Sequence, residues 1–282
     1  MTRVNLDDIQ SFYALSNARQ IPLLGLGVSQ IPLGQPTEDA VLWALQAGYR
    51  LIDCAASYGN EVSVGNAIRK SGIPREQIFV TTKLQDSDQG YESAIEACEL
   101  SLEKLGLDYI DLYLIHSPNP GPEKRNLSWK ALEKMVGLGK VKSIGISNYG
   151  VHHLKELLGS NPTIRPVVNQ IEVHPWCIRN DIASFCETQH IAIQAYCPLS
   201  RGRQLEHPVL GKIAAKYSKS PAQVLIRWSL QKGYIVIPKS AQKERIESNA
   251  DVFDFDLADG DISTLDSLDE GLHFSWNPTV EP

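Results

Sequence analysis

IDLYLIHSPNPGPEKRNLSWKALEKMVGLGKVKSIGIS occupies residues 110–147. It opens on an almost continuous apolar run, 110–116, and closes on a shorter one rich in small residues, 142–147. Neither run alternates strictly between polar and apolar positions. That suits strands covered on their outer face by helices in a parallel sheet. Between them, 129–137 reads as an amphipathic helix. Strand, helix and strand in series make a right-handed crossover.

The same unit recurs on both sides. Strands are predicted at 24–28, 50–53, 78–83, 110–116, 142–147, 167–172, 192–196 and 235–239, which makes eight. Helices are predicted at 61–70, 91–105, 129–137, 151–158, 181–189, 208–217, 221–231 and 259–268, with another opening at Thr37 and running to about Ala47. Thr37 has the chemistry of an N-cap, Glu38 and Asp39 suit the first turn, and Gly48 suits the end. Eight β-α units in series imply a single (β/α)8 barrel, α/β in class. Residues 12–24, broken at Ser16 and Asn17, read as an N-terminal β-hairpin that closes the bottom of the barrel. No linker, low-complexity tract or charge block interrupts the chain, so residues 1–282 are expected to form one domain. An open doubly wound sheet is the rival architecture, but no GxGxxG follows the first strand.

Composition narrows the partners. At 282 residues, 43% hydrophobic and 21% charged, the chain is of ordinary soluble composition and large enough for a substantial core. A net charge of −6 speaks against nucleic acid and anionic membranes as primary partners. Any site for a phosphorylated ligand must therefore come from local cations. Five cysteines, an odd number with no CxxC spacing, predict reduced thiols rather than a disulfide framework or a metal site. The start, MTRVNLDDIQ, carries Asp7 and Asp8 where a leader would need an apolar run, and no stretch is apolar enough to cross a membrane. A cytoplasmic monomer is the expectation.

In such barrels reactive groups project from the C-terminal ends of the strands. Asp53 ends the second predicted strand, Tyr58 follows in its loop, Lys83 ends the third and His116 the fourth. Neighbouring strands would bring these four groups together. Turning a carbonyl into an alcohol needs a hydride at carbon and a proton at oxygen. Tyr58 can supply the proton. A free phenol, with a pKa near about 10, is a weak acid at neutral pH. An ammonium on Lys83 is expected to lower that pKa, with Asp53 holding the lysine charged and in place. His116 can hydrogen-bond the carbonyl oxygen and share its developing charge. Each residue alone signifies little; their complementarity at neighbouring strand ends carries the functional reading.

Three stretches, GYRLIDCAASYGNE (48–61), GKVKSIGISNY (139–149) and IPKSAQKERIESN (237–249), closely resemble signatures of the aldo-keto reductase superfamily. The resemblance covers nearly the whole chain, in order. It implies a nicotinamide cofactor, NADPH/NADP+, bound without a Rossmann fold, and it carries the catalytic set onto Asp53, Tyr58, Lys83 and His116. It also implies that Ser147, Asn148 and Gln170 contact the nicotinamide carboxamide and that Tyr196 stacks on its ring. Lys239, Ser240 and Arg245, just past the eighth strand, resemble the family's clamp on the adenosine 2′-phosphate. Asn249 matches an adenine contact. Ordered binding, cofactor first, is implied as well.

Departures bear on selectivity. Ser248 stands where many members carry a Glu that touches adenine. Where many have large pocket aromatics, this chain has Ser29, Gln85 and Ser117, which predicts an open, polar pocket suited to small polar or activated carbonyl substrates. Trp276 can supply an aromatic wall if the C-terminal segment folds over the rim. His174 reads as structural, His152 and His153 as solvated, and Cys54 as lacking anything that would activate it. A non-catalytic cofactor-binding protein is the second reading; it has no need of Tyr58 or His116. Metal-assisted hydrolysis is the third; it needs more converging ligands than one His and one Asp.

Overall fold

The computed structural model describes residues 6–282; the first five, part of the stretch read above as lacking a leader, lie outside the described residues. Two short strands, β1 (Phe12–Ala14) and β2 (Gln20–Pro22), pair antiparallel as a hairpin. Asn17, in its turn, donates to Ser143 Oγ at 3.0 Å, near the start of a barrel strand, so the hairpin sits against the barrel's N-terminal end.

Eight strands then run parallel in chain order: β3 (Gly25–Gly27), β4 (Leu51–Asp53), β5 (Phe79–Leu84), β6 (Ile110–Ile115), β7 (Val141–Ser147), β8 (Val168–Glu172), β9 (Ala192–Tyr196) and β10 (Ile235–Val236). The ring closes through Val236 N–H to Leu23 O at 2.7 Å and Gly27 N–H to Pro238 O at 3.0 Å. The last strand is shorter than the run 235–239 because Pro238 has no N–H to give the ladder. β5 is buried at every position, as a strand covered on both faces must be.

One helix follows each strand from β3 to β8, and two follow β9 and β10 each: α1 (Gln35–Gln46), α2 (Glu61–Ser71), α3 (Glu92–Leu105), α4 (Pro122–Gly137), α5 (Val151–Gly159), α6 (Asn180–Thr188), α7 (Pro208–Tyr217), α8 (Pro221–Gln231), α9 (Lys243–Ala250) and α10 (Asp259–Asp266). α3 shows the packing logic. Ala94, Ala97, Cys98, Ser101, Leu102 and Leu105 are its buried residues, a stripe at helical spacing, and Gly106 ends it in the left-handed region. Gly65 lets α2 approach the end of α3: a Cβ there would lie 1.9 Å from Leu105 O.

Several expected boundaries shift. α1 is capped at Gly34 rather than Thr37, because Pro36 sets the first turn and the Thr37 hydroxyl donates back to Pro32 O at 2.7 Å. α4 begins at Pro122, not Trp129, since a proline after Gly121 opens a helix and the polar 123–126 turn needs no apolar face. Arg245 lies within α9, a helix absent from the predicted ranges.

Candidate active site

Register explains how the barrel gathers its polar groups. Paired residues on neighbouring strands share a face, and so do residues two apart on one strand. Asp53 pairs with Thr81, two before Lys83; Lys83 pairs with Leu114, two before His116; Leu114 pairs with Gly145, two before Ser147. Ser147 pairs with Gln170, and Gln170 with Gln194, two before Tyr196. One interior parity thus carries Asp53, Lys83, His116, Ser147, Gln170, Gln194 and Tyr196, climbing toward the C-terminal rim.

The centre of the cluster is the Lys83 ammonium. It donates to Asp53 Oδ1 at 2.5 Å, Cys54 O at 2.9 Å and Tyr58 Oη at 3.3 Å. Tyr58 ends a one-turn 3-10 helix, Ala56–Tyr58, and Gly59 at φ +69 turns the chain away beyond it. The Tyr58 and His116 rings meet edge to face, centroids 5.8 Å apart. Ser57 Oγ lies 3.3 Å from His116 Nδ1.

Electrostatics corrects one expectation. Burial raises the Tyr58 phenol above its ordinary value, and Lys83 pulls it down by less. The reason is that Lys83 is shared: Asp53 lies closer to the ammonium and opposes the phenolate. Burial likewise raises the Asp53 carboxyl against the pull of Lys83. Burial disfavours the Lys83 ammonium, yet Asp53 and Tyr58 outweigh it and keep the lysine charged. His116 is pushed down to about 3, first by burial and then by Lys83, so its imidazole is neutral. The cluster therefore holds a protonated phenol, a charged ammonium and a neutral imidazole at the open end of the barrel.

Next to it lies an amide-rich corner. Gln170 Nε2 donates to Asp53 Oδ2 at 2.6 Å and Gln194 Oε1 at 2.8 Å. Ser147 Oγ donates to Gln170 O at 2.9 Å. Asn148, at φ +64, donates through Nδ2 to His116 O at 2.9 Å and accepts the Tyr196 hydroxyl on Oδ1 at 2.8 Å. Ser147, Asn148, Gln170 and Tyr196 are thus brought together beside the acid–base cluster. Around the rim, Lys239 and Arg245 are exposed and have no ion-pair partner among the described residues, Ser240 is buried and accepts from Gln242 N–H at 3.1 Å, and Asn249 is buried on α9.

The expected pocket residues divide. The Trp276 ring lies 6.3 Å from the His116 ring, edge to face, so the C-terminal segment does cross the rim. Ser29 follows β3 and is half-buried. Ser117 is fully buried and donates to Asp86 Oδ1 at 2.7 Å, so it offers no hydroxyl to a ligand. The cause is parity: Ser117 adjoins His116, and adjacent strand-end residues point to opposite faces. Gln85, two past Lys83, keeps the interior parity, yet its amide donates to Asp88 Oδ2 at 3.0 Å. His153 is buried rather than solvated, its ring Nε2 lying 2.7 Å from Glu281 O. Among the groups the sequence reading passed over, Ser57 and Gln194 touch members of the cluster. Gln194 was detectable two residues before Tyr196. Ser200, in the loop after β9, buries a hydroxyl with no hydrogen-bond partner in a stretch where Cys197, Ser200 and Arg201 all take positive φ.

Comparison with known proteins agrees with this geometry. Residues 24–270 match the model of the aldo/keto reductase family. The chain is 49% identical over 267 residues to a 9,11-endoperoxide prostaglandin H2 reductase of Trypanosoma cruzi, covering 94% of this chain and 93% of that protein. It is 46% identical over 264 residues to a glyoxal reductase of Bacillus subtilis, covering 94% and 95%. Its fold superposes with a TM-score of 0.86 on an aldo-keto reductase from Bombyx mori solved in complex with NADP, at 36% identity and covering 94% of each chain. A barrel whose inner face converges on a lysine shared between a buried carboxylate and a phenol, matched along nearly its full length by these relatives, places the chain in the aldo/keto reductase family.

Proposed function

We propose that this protein reduces aldehydes or ketones to alcohols with NADPH, the Tyr58 phenol giving the proton. The observation that carries the proposal is the Lys83 ammonium held between Asp53 and the Tyr58 hydroxyl, 2.5 and 3.3 Å away. The cofactor, when bound, supplies the hydride. Its fit is supported by a buried Ser200 hydroxyl, in the loop that follows Tyr196, and by two exposed cations, none of which has a partner among the described residues. Ser147, Asn148 and Gln170 would hold the carboxamide, Tyr196 the ring face, Lys239, Ser240 and Arg245 the 2′-phosphate, and Asn249 the adenine.

The residues act on the carbonyl as follows. Neutral His116, with Ser57 hydrogen-bonded to Nδ1, donates from Nε2 to the carbonyl oxygen and orients it. As negative charge develops there, the oxygen becomes far more basic than a phenolate, so a phenol with a raised pKa still gives up its proton. Lys83 then stabilises the phenolate that remains, and Asp53 keeps Lys83 in reach. Small activated carbonyls are the proposed substrates. No large aromatic stands where Ser29 and Gln85 do, and one relative is a glyoxal reductase. NADPH oxidation monitored against a panel of dicarbonyls, keto esters, aromatic aldehydes and steroids tests the reading; no oxidation with any of them would overturn it, and a preference for steroids would overturn the substrate class.

A further inference from the structure

Glu172 ends β8 with its side chain almost completely buried, and the acid–base chemistry does not use it. A buried carboxylate is costly unless hydrogen-bonded. Here Phe274 N–H donates to Oε1 at 2.8 Å, Ser275 N–H donates to Oε1 at 3.2 Å, and the His273 ring Nδ1 lies 3.1 Å from Oε2. His174 Nε2 adds a fourth contact at 3.2 Å to Oε1. Three of these four partners belong to one stretch, 273–275, that lies about a hundred residues further along the chain.

The next residue is Trp276, whose ring stands against His116. On its other side the chain is held again. The Arg179 guanidinium donates to Asn277 Oδ1 at 3.3 Å and Thr279 Oγ1 at 2.6 Å. The Phe274 ring meets the His174 ring, centroids 5.3 Å apart, which seats the proximal side in a slot. Trp276 itself is 45% exposed and no hydrogen bond from its indole N–H is present among the described residues, so its place depends on the backbone at either side.

We propose that Glu172 is a positioning residue for the substrate pocket: its carboxylate latches residues 273–275 to the barrel and so holds the Trp276 ring as the wall facing His116. The proposal rests on the carbonyl-reductase reading for its kinetic consequence, but not for the latch itself. Charge-assisted bonds to two successive amides fix both position and direction of the backbone. Loss of the carboxylate frees the segment, and Trp276 swings from the carbonyl site; the Ser275 contact with the Tyr196 hydroxyl loosens with it, while the Tyr196–Asn148 and Gln170–Gln194 bonds involve no residue of the segment.

The test is a set of variants read in two ways. In Glu172→Ala, hydrogen exchange at the Phe274 and Ser275 amides should rise at least about tenfold, as protection passes from a buried bond to local opening. His273→Ala, which leaves the barrel strand untouched, should give a smaller rise and serves if Glu172→Ala does not fold. In kinetics, Glu172→Ala should raise KM for an aromatic aldehyde about tenfold, an aromatic wall being worth about that much, with kcat changed less. In that background Trp276→Ala should add less than about twofold, because the two changes act through one contact. Restoration of protection and KM by Glu172→Asp or Glu172→Gln would support the latch. Wild-type exchange at residues 274 and 275 in Glu172→Ala, or fully additive effects of the two substitutions, would overturn it. A wild type inactive on every carbonyl, with exchange rising as stated in the variants, overturns the catalytic reading while upholding the latch.

Discussion

The strand-borne half of the site and its loop-borne half follow different rules. Asp53, Lys83, His116, Ser147, Gln170 and Tyr196 stand on or immediately after strands, and one register fixes the face of every one of them. Ser117, Gln85, Lys239, Arg245 and Trp276 lie beyond the strands, where parity alone no longer decides the outcome: it still turns Ser117, one place past His116, outward, but it would turn Gln85, two past Lys83, inward. Two of these, Ser117 and Gln85, turned their polar atoms to Asp86 and Asp88. A position in a motif therefore fixes the orientation of a group only while the ladder continues. Past its end, local hydrogen bonding takes over.

The widest expected gap between the halves comes from Tyr58→Phe. The phenol is the one hydroxyl hydrogen-bonded to Lys83 among the described residues, and a placed general acid contributes about 10²–10⁴ in rate. Turnover should fall by that factor or more, while NADPH binding, followed by fluorescence titration, stays within about threefold because the cofactor corner is untouched. Near-normal turnover would break the comparison at its strongest point.

The double change Lys239→Ala with Arg245→Ala probes the loop half. Each cation is exposed and unpaired among the described residues, so truncating the two side chains breaks no ion pair of the fold. Charge-assisted bonds to a 2′-phosphate are worth about 1.5–3 kcal/mol each at most, and less in solvent. Kd for NADPH should rise about 10- to 100-fold, with the NADH rate little altered. Equal wild-type efficiency with the two cofactors would remove the clamp from the site.

How much was legible follows from the same division. Eight apolar runs in series sufficed for the barrel, because strands covered on both faces leave a strong signal. Asp53, Lys83 and His116 were legible as strand ends, and Tyr58 as a loop residue beside them. The pKa balance at Tyr58 was not, since burial of the phenol raises it first and Lys83, lying nearer to Asp53 than to the phenol, offsets that only in part. Nor was Glu172's link to His273 and Ser275, a contact across about a hundred residues that no local pattern announces. α4's early start is written in Gly121-Pro122, a helix-opening pair that precedes the apolar periodicity by about two turns.

A finer comparison lies in pH. His116 is held down to about 3 by burial and by Lys83. The unfolded chain takes a proton at the ordinary histidine value, about 6.5, whereas the folded protein refuses it. His116 thus subtracts stability progressively as pH falls from there toward 3 and contributes no such penalty above it. Its ring resonances in an NMR titration should stay unshifted from pH 8 to about 5, and kcat at saturating cofactor should show no inflection near 6.5. A ring titrating near the ordinary value would mean that water reaches the cluster and that His116 acts as an imidazolium.

The smallest catalytic effect is expected at Ser117, the place where motif and structure part most clearly. Its neighbour His116 faces the barrel interior, so Ser117 faces outward, and its hydroxyl donates to both oxygens of Asp86, at 2.7 and 2.8 Å. The hydroxyl also accepts Asn119 N–H at 3.2 Å, so it ties the turn after β6 to the one after β5. Ser117→Ala should therefore lower stability by about 1–3 kcal/mol, the range for losing a buried bond to a charged group, as a drop in the urea midpoint. Substrate selectivity should stay within about twofold across the carbonyl panel, because no atom of Ser117 is open to the pocket. Ser29→Trp, on the interior parity beyond Gly27, should by contrast shift selectivity toward aromatic aldehydes. If Ser117→Ala changed selectivity as much as Ser29→Trp does, direction beyond the strand ends would not be set by the Asp86 bonds, and the turn would have to reorganise when substrate enters.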